Sequence, residues 1–355
     1  MPSMPSTGSI MPGGSTGCRN AQNEVRLVMK LPCSRKHVPL VATVAVFLLL
    51  YAVCAVRYRG EGFVSLQVFV NFFGDNSFLG IVAVGMTFVI LSGGIDLSVG
   101  SVLALSSILM AVLVEKGGVP PLVAMGAVLA AGACLGLAMG GGVWCFGLPP
   151  FIVTLAGMFL ARGLGFVLRV ESIPIASSFY RGLTGWGLAL PGARVPATAL
   201  VFLAVVAGGI YLSTQTVFGR NVYAVGGSEE AALLMGVPVG RTKVLVYGLS
   251  GFCSALAGIV YTVYGSSGDP RAALGMELDA IAAVVVGGTL LTGGVGYVAG
   301  TLVGVLIFGI IQTGITFEGT LSSWWTRVAI GALLLVFVLL QKLFARPGAG
   351  EPGSA

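Results

Sequence analysis

Charge is what this chain has least of. Asp, Glu, Lys and Arg make up 9% of its 355 residues, where a soluble domain carries roughly a quarter. Histidine is nearly absent too: His37 is the only one, which excludes an HExxH zinc site and a Ser-His-Asp triad. No GxxxxGK[ST] phosphate loop occurs, so any ATP that drives this protein is bound by another chain. The six cysteines form no CxxC pair and mostly lie in apolar runs, where they read as small buried hydrophobes. The net charge of +6 comes from basic residues scattered along loop ends and tails, without interleaved aromatics, so no nucleic-acid partner is expected. No catalytic residue, metal site or cofactor is expected in this chain.

Hydrophobic residues are plentiful, at 56%, and 55 glycines accompany them. Membrane helices need about 20 apolar residues each, and small residues let them approach closely. An all-α polytopic membrane protein follows. Uncharged runs between polar breaks predict about ten transmembrane helices, near 38–56, 76–92, 97–114, 121–146, 151–170, 196–213, 244–265, 277–292, 294–315 and 324–342. Residues 64–74 fit an interfacial or re-entrant segment. Residues 1–37, rich in Pro, Ser and Gly and then basic, are expected to be a disordered cytoplasmic tail, with Met29 an alternative start. Residues 38–342 form the transmembrane domain, and 343–355 a second disordered cytoplasmic tail. An even number of spans puts both termini on one side. The basic N-tail places that side in the cytoplasm, although loop charges bias the orientation only weakly.

Between the uncharged stretches Val195–Gly219 and Val244–Gly268 lies a polar loop, 214–243, carrying Glu229 and Glu230. A soluble hinge inside a membrane domain is a place for another protein to grip. Its stretch Gly227-Ser228-Glu229-Glu230-Ala231 predicts a short helix capped by Ser228, with acidic residues at its positive start and Gly236 at its end. Leu233, Leu234 and Met235 then form an apolar knob, or else one face of an unpartnered surface helix. Gly93, Gly94, Asp96 and Ser98 stand between two spans. They fit either a broken helix beside a solute path or a simple helix cap at an interfacial turn. Arg162 and Arg327 lie in otherwise apolar runs and need a polar cavity or a carboxylate partner; Glu277 and Asp279 are candidates near the same outer side. Trp324 and Trp325 open the last span and fit the interfacial aromatic belt or a stacking surface for sugar.

Four blocks carry a family resemblance: GMTFVILSGGIDLSVGS, PPFIVTLAGMFLARG, FGRNVYAVGGSEEAALLMGV and ELDAIAAVVVGGTLLTGGVG. In sequence and spacing, from about residue 38 to 342, the chain resembles the membrane permease subunits of bacterial sugar ABC importers, the ribose/xylose/galactose group. Within that group Glu171–Ile175, Gly275–Asp279 and Gly319–Thr326 are most similar to a permease of the galactofuranose importer. The resemblance implies a permease fold like that of the vitamin B12 importer and a place in the bacterial inner membrane. It also implies a periplasmic sugar-binding protein, a second permease of the same or a related kind, and a cytoplasmic ATPase subunit. Residues 227–236 would be the coupling helix seated on that ATPase, which fixes the loop in the cytoplasm. An ion-coupled secondary transporter is the rival, but it would bury titratable groups at mid-membrane, where few occur here. An intramembrane enzyme would need a nucleophile and base cluster that the sequence lacks.

Overall fold

The longest helix among the described residues, α11 (Val239–Gly265), is the strut around which the others pack. It lies along α3 (Ser77–Leu91), α4 (Val99–Ala111, continued by a π turn to Lys116) and α5 (Pro121–Cys145). The structure, a computed structural model, describes residues 38–320, 322 and 324–344. The predicted tail 1–37, with Met29 and His37, lies outside the described residues, as do Leu321, Ser323 and 345–355. The helices pack into one body that runs from Pro39 onward.

Close approach along α11 is a consequence of glycine. Gly132, Gly136 and Gly140 recur every four residues on α5, and a Cβ at any of them would collide with α11 between Val244 and Ala255. This is the small-residue packing of membrane helices, where van der Waals contact substitutes for a hydrophobic driving force. Every residue of α3 except Phe78 is buried. Its Thr87 hydroxyl meets that of Thr301 on α13 (Val298–Glu318) at 2.7 Å, a buried polar link between core helices. α1 (Val38–Arg57), α6 (Pro150–Leu168) and α8 (Ala197–Gln215) turn apolar side chains outward, among them Leu49, Phe159 and Tyr211.

Among the described residues seven helices are long and apolar enough to cross a membrane: α1, α4 with its π turn, α5, α6, α8, α11 and α13. An eighth span is the bent pair α2 (Leu66–Asp75) and α3, which meet at 55°. Asn76 donates to the Phe72 carbonyl and the Ser77 hydroxyl to that of Gly74, so side chains occupy backbone acceptors at the bend. By length and composition the described residues thus hold seven or eight spans, against the ten predicted. The run 277–292 is a short helix, α12 (Met276–Val286), because Gly288, Gly293 and Gly294 take positive φ and turn the chain away. α14 (Trp324–Phe344) covers the predicted last span, 324–342, and among the residues whose side chains are described it is apolar over Trp324–Leu339. The segment 64–74, by contrast, largely becomes α2.

Two small sheets were not predicted. β1 (Ile173–Pro174) pairs antiparallel with β4 (Ser267–Gly268), and β2 (Gly187–Leu190) pairs with β3 (Ala193–Pro196) around a Pro191-Gly192 turn. They stand with α7 (Ser178–Gly185) at the end of α11 that bears Gly265. α9 (Val217–Gly227) and α10 (Glu229–Leu234) stand at the other end.

Overpacking in a tight interface costs about 1–3 kcal/mol. Gly136→Val is thus expected to lower the thermal midpoint of the detergent-solubilised protein by several degrees, followed by size-exclusion after heating. Gly141→Val, whose Cβ meets nothing within 4 Å, is expected to leave it unchanged.

Candidate functional site

Two regions, one at each end of α11, carry chemistry. The first is built on α10. Ser228 adopts an extended backbone and its Oγ accepts from the Ala231 N–H at 3.3 Å, while Glu229 and Glu230 occupy the first turn. Carboxylates there face the positive end of the helix and its free N–H groups. Gly236, at φ 78°, ends the helix in a left-handed turn, with its N–H on the Leu233 carbonyl and that of Val237 on Ala232. Ala232 is the buried face, packed with Val225 and Val239. The opposite face is bare: Leu233 is 60% exposed, Leu234 89% and Met235 71%. Lys243 of α11 pairs with Glu229 at 2.6 Å, so α10 is tied to the start of the long strut.

The second region is a cavity of about 840 Å³ lined by α2, the starts of α3 and α12, the far ends of α11 and α13, and α14. Its polar lining includes Asn71, Asp75, Asn76, Asp279, Gln312, Thr313, Thr316 and Arg327. The Tyr264 hydroxyl donates to Asp75 Oδ1 at 3.3 Å, joining α11 to α2 across one wall. Arg327 lies 5.2 Å over the Trp324 ring, and its charge acts on Asp279. Carboxylate, guanidinium, amide and hydroxyl groups stand there with the aromatic side chains Phe78, Tyr264, Phe308, Phe317 and Trp324, a mixture that suits a hydroxyl-rich solute better than an ion.

The residues singled out in the sequence divide between these places and the interior. Asp279 and Trp324 line the cavity; Trp325 does not, and is 53% exposed. Arg162 is not in it. Its Nη1 donates to the carbonyls of Pro270 (2.9 Å) and Ala272 (2.8 Å), fixing the loop that returns from α11 into α12. Glu277 and Asp269 are the carboxylates whose charges act on Arg162. No ion pair closes between Arg162 and either of them among the described residues. Glu277 is half-buried: its Oε2 lies beside Gly100, near the start of α4, with no hydrogen-bond partner among the described residues.

Gly93, Gly94, Asp96 and Ser98 are likewise away from the cavity. Asp96 is fully buried in the turn between α3 and α4. Its Oδ1 accepts from the Ser98 N–H (2.9 Å) and hydroxyl (2.6 Å), and its Oδ2 from the Ser250 hydroxyl of α11 (2.7 Å). It therefore both caps locally and bridges to α11. Three hydrogen bonds compensate a group whose burial alone would be costly.

Sequence reasoning missed most of the cavity lining. The signal was present: Asn71, Asp75 and Asn76 on one apolar run, and Gln312 with Thr316 on another, recur at helical spacing. Single uncharged polar residues in apolar helices are common enough to pass unnoticed.

Residues 68–338 match the model of a family described as the branched-chain amino acid transport system / permease component. Among curated proteins, the inner membrane ABC transporter permease protein YjfF of Escherichia coli K12 is 49% identical, over 87% of this chain and 93% of its own length. The ribose import permease protein RbsC of Bacillus subtilis is 43% identical, over 74% and 81%. The fructose import permease protein FruG of Bifidobacterium longum is 36% identical, over 87% and 92%. No solved structure matches. With a family match over most of its length and relatives aligned almost end to end, the chain belongs to this family of transport-system permease components.

Proposed function

We propose that this protein is the membrane-spanning permease subunit of an ABC importer that moves a monosaccharide, galactofuranose in our reading, into the cytoplasm. The observation that carries the proposal is the pairing of ends. A capped helix with a bare apolar tip, α10, stands at one end of α11. A cavity lined with hydrogen-bonding groups stands at the other. A cytoplasmic ATPase subunit would grip Leu233, Leu234 and Met235, and a periplasmic sugar-binding protein would deliver cargo to the cavity end. A second permease, this chain or a related one, would complete the path. Both termini are then cytoplasmic, in the inner membrane. Relatives named as ribose and fructose import permeases support a sugar as cargo. The choice of galactofuranose rests on the segments Glu171–Ile175, Gly275–Asp279 and Gly319–Thr326.

Purification from native membranes in mild detergent is expected to recover an ATPase subunit. In proteoliposomes supplied with the binding protein, uptake of radiolabelled galactose, which contains the furanose at equilibrium, is expected to need ATP and to survive collapse of ion gradients. Uptake without ATP that stops with the ion gradient would instead establish a secondary transporter. Ribose or fructose moving in place of galactose would overturn only the choice of sugar.

Leu234 makes little contact within the chain, so Leu234→Glu is expected to spare insertion while cutting ATPase capture at least tenfold, the loss typical of a central interface residue. Asp279→Asn and Trp324→Ala are expected to slow sugar uptake about tenfold with ATPase capture intact, read by transport and pull-down on the same preparation. A reporter that fluoresces only in the cytoplasm, fused after residue 355, is expected to light up; a dark fusion would reverse the orientation.

A further inference from the structure

Three interruptions of the chain meet at one point. They are the turn after α3, the junction of α9 with α10, and the loop between α12 and α13. The Gly294 N–H donates to the Leu91 carbonyl at 2.9 Å, joining the first to the third. Gly226, two residues before the Ser228 cap, sits between them: a Cβ there would run into the Leu91 carbonyl oxygen and lie 2.6 Å from the Gly294 nitrogen. A Cβ on Gly293 would lie 2.9 Å from the Gly93 nitrogen, and one on Gly294 2.8 Å from the Gly227 Cα. Backbone touches backbone here, with no flexible side chain between. A second tie runs alongside, where the Tyr223 hydroxyl of α9 donates to the Gly296 carbonyl at 2.8 Å.

The two helices that leave this point end at the cavity. α3 runs from Leu91 at the junction to Phe78 and Leu79 in the cavity wall, and α12 places Met276 and Asp279 there. At 1.5 Å per residue, α3 spans about 20 Å as a single rigid rod. Asp96, held by Ser250, fastens the first interruption to α11, and Lys243 with Glu229 fastens α11 to α10. Close-packed contacts transmit displacement with little slack.

We propose that Gly226 and Tyr223 are positioning residues for transport, passing movement of α10 to α3 and α12 and so changing the cavity. This rests on the reading of α10 as the ATPase's grip. A purely structural junction would matter for assembly; a transmitting one matters for response to nucleotide with assembly intact. Labelling by a membrane-impermeant maleimide separates these without requiring any sugar. Thr316 lines the cavity and is exposed, so Thr316→Cys serves as the reporter, measured against the chain without it.

In the purified complex, ATP with vanadate is expected to change the labelling rate several-fold. In Tyr223→Phe, which deletes one hydroxyl, the change is expected to fall below twofold, with ATPase capture and thermal midpoint unchanged. Gly226→Ala, whose Cβ meets the Leu91 carbonyl, is expected to lose the change too at some cost in thermal midpoint, while Gly136→Val, at a like cost, is expected to respond fully. Gly227→Ala, whose Cβ meets nothing within 4 Å, is expected to respond fully. A full nucleotide response in both Tyr223→Phe and Gly226→Ala overturns the inference. So does a loss that only follows lost capture or lost stability, since that is packing. If the unaltered chain captures no ATPase subunit, the coupling reading fails and this inference falls with it.

Discussion

Backbone buried among apolar helices has no water to turn to, and the rest of this structure depends on that constraint. Every interrupted helix must find its hydrogen-bond partners inside the protein. The turn after α3 meets it through the Gly294 N–H on the Leu91 carbonyl, and the α12–α13 loop through Tyr223 on Gly296. The loop returning from α11 meets it through Arg162, which covers two of its carbonyls, and through Ser107 on Asp269. Irregular backbone is tolerated only where other backbone or a polar side chain comes within about 3 Å of it. Glycine makes that approach possible, which is why a chain with so few charges has so many glycines.

The same constraint sorts the polar residues. Those that satisfy backbone or one another, such as Asp96, Thr87, Thr301 and Arg162, are held in the interior by fixed partners. Those lining the cavity divide: Asn71, Asn76 and Thr316 have hydrogen bonds of their own, and the charged ones are held more loosely. Asp75 takes a single long hydrogen bond from Tyr264, and Asp279 and Arg327 interact only through space. A group already satisfied has little to offer a solute, whereas a group waiting in a cavity does. Arg162, a candidate for the solute path by its place in an apolar run, belongs with the first set because its hydrogen-bonding capacity is turned to a loop.

How much of this was legible in the sequence follows from the same physics. Long uncharged runs mark helices in lipid whatever their neighbours, so α1, α5, α6, α8, α11 and α13 were readable directly. The local shape of α10 was readable too, because capping and termination depend on Ser228 and Gly236 themselves. α12 was not, since an uncharged run says nothing about where glycines turn left-handed under tertiary contact. The hairpin 187–196 was missed for a similar reason: with strands of four residues and mixed composition, it has little periodicity to detect. The cavity was least legible of all. Its walls come from helices far apart in sequence, and the polar residue each supplies looks incidental until the helices are brought together.

The geometry also bears on what kind of site the cavity is. A transport path must release what it admits, so tight, fully complementary binding would work against it. A volume of about 840 Å³ is ample for one small sugar together with water, and water-mediated contacts are adaptable ones. The lining offers donors and acceptors of both kinds with no dense cluster of one charge. Selection of one sugar over another needs buried groups that are left unpaired by the wrong partner, and a roomy cavity supplies few of these. On the proposed reading, discrimination then falls to the binding protein that would capture the solute beforehand, and this chain would be left with passage.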